Sequence, residues 1–180
     1  MNIFSKNPGV EFHSFSALHF VIIAVFLVLS AATVIFSGRI RENEKLKRWL
    51  PVALCAVALI LEAMYHVWNF YYGTDFVKNL VPLELCSISL VLSVVLLATK
   101  NQAVFEIYYF FSIGAFMALA FPSYGGFGPD HFRFYHFFFC HSFLIWLAVY
   151  FVSVLGYRLS TKSLLRIVAL MIPLDRKSVV

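Results

Sequence analysis

Five stretches of this chain are apolar over a length that can cross a bilayer: Ala17–Ser37, Leu50–Tyr72, Leu80–Thr99, Val104–Phe121 and Tyr135–Leu155. A spanning helix needs about 20 predominantly apolar residues, because backbone groups left unpaired in hydrocarbon cost several kcal/mol each. A sixth apolar stretch begins near Leu164 and stops at Leu174. The pattern predicts an all-α, polytopic transmembrane bundle of five full spans and a truncated sixth. Only 13% of the 180 residues are charged, against about 25% in a soluble domain, so a water-soluble monomer is excluded. Pro51 and Pro82 stand near the starts of the second and third stretches, where a missing N–H costs least.

The first stretch is too long for a signal peptide, and its basic cluster follows the apolar run, so it reads as a retained helix. Arg39, Arg41, Lys45, Lys47, Arg48, Lys100, Arg158, Lys162 and Arg166 fall on one side of the alternating spans; Lys6, Lys78 and Arg133 fall on the other. The positive-inside rule then puts the N-terminus outside, with loops 1–2, 3–4 and 5–6 in the cytoplasm. This distribution accounts for the net charge of +5 without a nucleic-acid partner. Three cysteines set in apolar runs do not form a disulfide framework. Residues 1–174 read as one membrane domain with no internal repeat. Residues 175–180 resemble the translation of a sequencing adapter, so they are expected to be a non-native tail interrupting a chain whose helices continue.

Ionisable groups within spans are costly and mark candidate sites. Glu62, His66 and Asn69 lie at i, i+4 and i+7 on one face of the second span, and Cys86, Ser89 and Ser93 at i, i+3 and i+7 on one face of the third. His66, Cys86 and His141 each lie six residues from the outer end of their spans, roughly 9 Å deep at 1.5 Å per residue. His19 is slightly shallower. A nucleophile and several imidazoles thus share one level near lipid ester bonds. His136 and His141 are about 140° apart on a helical wheel and are expected to face different sites. Cys55 and Cys140 read as small core residues, and the Phe132–Phe139 run as a core or lipid-facing surface. Glu84, just after Pro82, suits a helix first turn, and Glu106 a helix end. Ser123–Pro129 lacks the Lys and Ser/Thr of a phosphate loop and reads as an external turn able to cover the site. No histidine pair has the i, i+4 spacing of a helical ligand set, so no metal is expected.

A cysteine thiolate is a nucleophile that needs a nearby base. His141 or His66 would take the Cys86 proton and return it to a leaving alcohol, which is the logic of acyl transfer. Glu62, one turn from His66, is placed to orient that ring.

The segment Val81-Pro82-Leu83-Glu84-Leu85-Cys86-Ser87 resembles the Leu-Pro-Leu-x-Leu-Cys element of YwaF-type bacterial integral membrane proteins. His66-Val67-Trp68 with Tyr72-Gly73, Ala120-Phe121-Pro122 and Phe137-Phe138-Phe139-Cys140-His141 fit the same family. The resemblance covers most of the chain from the second span onward. That family is similar to eukaryotic membrane acyltransferases that remodel ether phospholipids through a Cys and a His, and more distantly to multi-pass fatty-acid ester hydrolases. The resemblance implies Cys86 as nucleophile and His141 as its base. The expected function is a membrane-embedded acyltransferase or lipid esterase at the outer leaflet of a bacterial plasma membrane. Its partner is a phospholipid or lysolipid, and no cofactor is needed. The rivals are a proton-coupled carrier relaying through Glu62 and His66, and a non-catalytic lipid sensor. The oligomeric state is open.

Overall fold

The computed structural model describes residues 3–7, 9–72 and 85–160. They form six helices: α1 (Ala17–Ile35), α2 (Ser37–Glu42), α3 (Glu44–Tyr71), α4 (Leu85–Thr99), α5 (Gln102–Ala120) and α6 (Phe132–Ser153). Four of these, α1, α3, α5 and α6, are long and apolar enough to span a membrane, and α4 is a shorter apolar helix. Residues 80–84 of the third expected span, the sixth stretch and the 175–180 tail lie outside the described residues.

Side chains mark the helix starts. Ser16 Oγ accepts from His19 N, Asn43 Oδ1 from Leu46 N, Asn101 Oδ1 from Ala103 N and His131 Nδ1 from Arg133 N. Each cap satisfies a donor that the first helical turn would leave unpaired. Because Asn43 caps α3, that helix begins six residues before its apolar run and includes the charged Glu44–Arg48 turn. Pro51 therefore sits inside the helix rather than at its first turn. Lacking an N–H, it leaves the Lys47 carbonyl without its helical partner. The Tyr150 hydroxyl of α6 donates to that carbonyl at 2.7 Å, so a local defect in α3 becomes a tie between helices.

Helix α6 is the centre of the bundle and packs against α1, α3, α4 and α5. In its most apolar window 61% of residues are buried, against 17% for α1, the most apolar helix of all. This order suits a protein whose solvent is hydrocarbon: a lipid-facing surface needs no polar groups, and the interior can use aromatic and hydrogen-bonding ones. Phe132, Phe134, Phe137 and Phe138 are buried, so most of the aromatic run is core. Polar groups stitch the helices together. Trp146 Nε1 donates to Thr33 Oγ1 and the Tyr108 hydroxyl to the Leu144 carbonyl, both at 2.8 Å. Cys55 is buried, 3.5 Å from Ser93 Oγ.

At one end of the bundle the N-terminal segment crosses the turn before α6. Phe12 N donates to the Gly126 carbonyl at 2.8 Å and Gly128 N to the Val10 carbonyl at 2.9 Å. Trp68 and Tyr72 both donate to the Phe4 carbonyl. The expected turn at Ser123–Pro129 is present, with Gly125 and Gly126 at positive φ. Gly128 is required by proximity, since a Cβ there would lie 2.5 Å from the Val10 carbonyl oxygen.

Candidate functional site

A cavity of about 430 Å³ lies between α3, α4, α5 and α6 at the end covered by the N-terminal segment. Its walls bring Cys86, Glu62, His136 and His141 together with Tyr124 and Arg133. Ser89, on the Cys86 face of α4, also lines it. That face turns inward because its small side chains admit the neighbouring helices.

His141 is buried, and its Nδ1 lies 2.7 Å from the Phe137 carbonyl oxygen one turn earlier. A carbonyl can only accept, so Nδ1 carries the hydrogen and Nε2 is left as the basic nitrogen of the neutral ring. Cys86 is half-buried at the start of α4. A thiol and a tautomerically set imidazole thus share one chamber.

Glu62 is the polar hub of the opposite wall. His136 Nε2 donates to its Oε2 at 2.8 Å, Ser87 Oγ donates to its Oε1 at 2.6 Å, and His66 Nε2 lies 3.4 Å from Oε1. A carboxylate holding several donors is a stable way to keep charge inside a membrane protein. The His136 ring stacks on Tyr65 at 4.7 Å, which fixes its plane.

Several sequence expectations meet this geometry differently. His136 and His141 were expected to face apart, yet both line the cavity, because it wraps around the α6 face instead of meeting it along one line. His66 contacts Glu62 but lies outside the cavity wall. Asn69 is buried further along α3, also outside the lining. His19 belongs elsewhere: its Nδ1 accepts from Phe15 N at 3.0 Å and its Nε2 donates to the Leu119 carbonyl at 2.8 Å. With both nitrogens committed, it fastens α1 to α5 and holds Phe15 at a φ of 63°. Glu84 lies outside the described residues.

Glu62, His136 and Cys140 place their ligand atoms within 4.8 Å of one another. Oxygen, nitrogen and sulfur donors of this kind suit zinc. His136 and Cys140 stand at i, i+4 on α6, a spacing that a search of histidine pairs alone passes over, and Glu62 joins them from α3. Here hydrogen bonds occupy the group, with the Cys140 thiol donating to the Ala58 carbonyl.

Tyr124 and Arg133 were not singled out as site residues from the sequence. The Tyr124 hydroxyl donates to the Phe127 carbonyl at 2.8 Å, and burial raises its pKa well above that of an ordinary phenol, so it stays protonated. Arg133 counted only as one cation on the sparsely charged side; its place among aromatics was the available signal.

A model of the TMEM164 family, a membrane protein family, matches residues 14–174, and the chain belongs to that family. No curated protein and no solved structure matches it. Family and helices together make this a multi-pass integral membrane protein.

Proposed function

We propose, starting from membership of the TMEM164 family, that the chain is a membrane-embedded thiol acyltransferase or lipid esterase. The observation that carries this reading is that Cys86 and His141 line one chamber, with His141 Nδ1 held by the Phe137 carbonyl so that the unprotonated nitrogen of a neutral ring is Nε2. The likeness to YwaF-type proteins, and through them to ether-phospholipid acyltransferases, supports the same residues.

In this mechanism His141 Nε2 takes the Cys86 proton and the thiolate attacks the acyl carbonyl of a phospholipid. The tetrahedral adduct collapses, the lysolipid alkoxide leaves with the proton from His141, and a thioester remains on Cys86. A lysolipid hydroxyl or water then gives its proton to His141 and attacks the thioester, and the departing thiolate recovers that proton. Glu62 and Ser87 keep His136 in place beside the reacting groups. The charge asymmetry supports an orientation with this end of the bundle outside, in which the substrate comes from the outer leaflet and a cytoplasmic acyl-CoA donor is disfavoured. No cofactor is required by these steps.

The test is labelling of the full-length chain in proteoliposomes with a phospholipid carrying an alkyne-tagged acyl chain. Hydroxylamine-sensitive label is expected, and it should be lost in Cys86→Ala and His141→Ala. Label that persists unchanged in both variants overturns the mechanism.

A second reading, a proton-coupled carrier, draws on Glu62 and its His136, His66 and Ser87 neighbours. Solute uptake that depends on Glu62 but not on Cys86 would favour it.

A further inference from the structure

The guanidinium of Arg133 is enclosed by three aromatic rings. Its Cζ lies 4.7 Å from the Tyr65 ring centre, 5.3 Å from Trp68 and 5.2 Å from Phe127. Among the described residues it has no carboxylate partner, and its buried Nε has no hydrogen-bond acceptor. An arginine near the end of a spanning helix ordinarily extends to water or headgroups. This one is folded inward against aromatic faces and lines the same cavity as Cys86 and His141.

Cation–π contact uses the faces of a guanidinium, whereas its N–H groups point outward in the plane. The cage therefore holds the guanidinium in place while its Nε keeps no hydrogen-bond acceptor. What such a fork fits best is a planar or tetrahedral oxyanion taken by two parallel hydrogen bonds. The position agrees with a lipid lying in the cavity. Arg133 precedes His141 by eight residues on α6, roughly 12 Å along the axis at 1.5 Å per residue. Tyr65 links the two zones, with the Arg133 guanidinium and the His136 ring each 4.7 Å from its centre.

We infer that Arg133, caged by Tyr65, Trp68 and Phe127, is an anion subsite in the wall of the cavity that takes the phosphate group of the ligand. The inference rests on the lipid-acyl reading for its substrate, but the binding it describes does not require the acyl step. Arg133 is a specificity-determining contact: it distinguishes phosphate-bearing lipids from neutral glycerides of the same chain.

The test uses the full-length Cys86→Ala chain in detergent, so that acylation plays no part. Binding of a fluorescent lysophosphatidylcholine is compared with that of a monoacylglycerol bearing the same labelled chain. The phosphate lipid should bind about tenfold or more tighter, as expected for charge-assisted hydrogen bonds. Arg133→Gln should remove that preference while leaving monoacylglycerol binding intact, which also shows that the variant is folded. Arg133→Lys should keep part of it, through charge without the fork. Displacement by millimolar inorganic phosphate would assign the subsite to a soluble phosphate, and displacement only by lysophospholipid would assign it to a headgroup. Equal binding of the two lipids to the parent overturns the inference. So does an undiminished preference in Arg133→Gln, or an equal loss of both lipids in the Gln and Lys variants. Failure of the acyl reading shows separately, as a wild-type chain that takes no label on Cys86 while still preferring the phosphate lipid.

Discussion

Two hollows run along the same pair of helices and differ in kind. The groove between α1, α3 and α6 holds about 620 Å³ and is walled by residues such as Val25, Leu29, Leu61, Phe139 and Trp146, with no carboxylate, imidazole or cation. The chamber between α3, α4, α5 and α6 is smaller, about 430 Å³, and carries Glu62, Cys86, Arg133, His136 and His141. The division is sharp enough to fall between adjacent residues. Leu61 faces the groove and Glu62 the chamber; Phe139 faces the groove and Cys140 the chamber. In a membrane protein volume alone does not mark a site, because lipid fills any apolar furrow. Convergence of groups that are costly to bury does.

The largest effect expected from this contrast is on acyl labelling. His141→Gln should lower the labelling rate by about 10²–10⁴-fold, the range for losing a general base, while Phe139→Leu in the groove changes it less than about twofold. Comparable losses from both would break the distinction between the hollows.

Stability provides the next test. Glu62→Leu removes the acceptor of His136 and Ser87, and leaving buried donors unsatisfied costs about 1–3 kcal/mol. Thermal unfolding in detergent should show that loss, with a smaller change for Leu61→Met. The partition between the hollows also depends on the α3–α6 tie. Tyr150→Phe strands the Lys47 carbonyl beside Pro51 and should lower stability by about 1–3 kcal/mol. If the variant melts like wild type, water has reached that carbonyl and the tie is dispensable.

A smaller, pH-dependent effect concerns the cover over the chamber. His131 is buried, its Nε2 donates to the Ser5 carbonyl at 2.8 Å, and its Nδ1 accepts from Arg133 N. Burial lowers its pKa below the usual 6.5, with Arg133 acting in the same direction and the Ser5 bond and Asp130 opposing. Below pH 6.5 the unfolded state therefore binds more protons than the folded one. The contribution of His131 is complete above that pH and is lost as pH falls through its lowered value. Protection of residues 3–16 against hydrogen exchange, taken relative to the intrinsic rate at each pH, should be greatest above pH 6.5 and fall on acidification, and the fall should be absent in His131→Asn. The smallest effect belongs to Val25→Phe, which narrows the groove and should leave labelling and melting close to wild type.

Much of this architecture was legible in the chain. Four of the expected spans appear as helices that are long and apolar enough to cross a membrane, and the Cys86–Ser89 face of α4 does turn inward, because apolar length and helical period are local properties. Boundaries were less legible: α3 starts at Glu44, just after its Asn43 cap, which outweighs the charged turn that follows. His19 shares the depth of the candidate residues, but depth does not say which neighbour a ring meets, and it meets the Leu119 carbonyl. His136 was set aside by wheel angle, a measure that ignores the width of a chamber walled by four helices.

From its order of residues alone, the chain determined that it must lie in a membrane, which stretches can cross it, and which few polar groups would have to be sheltered there. Those follow from the cost of exposing backbone and charge to hydrocarbon, which every residue carries with it. Only the packing of α6 among its neighbours decided which of those groups meet, that Glu62 is held by partners from α4 and α6, and that Arg133 lies among rings. Such meetings depend on distances between segments far apart in the chain, and no local period encodes them.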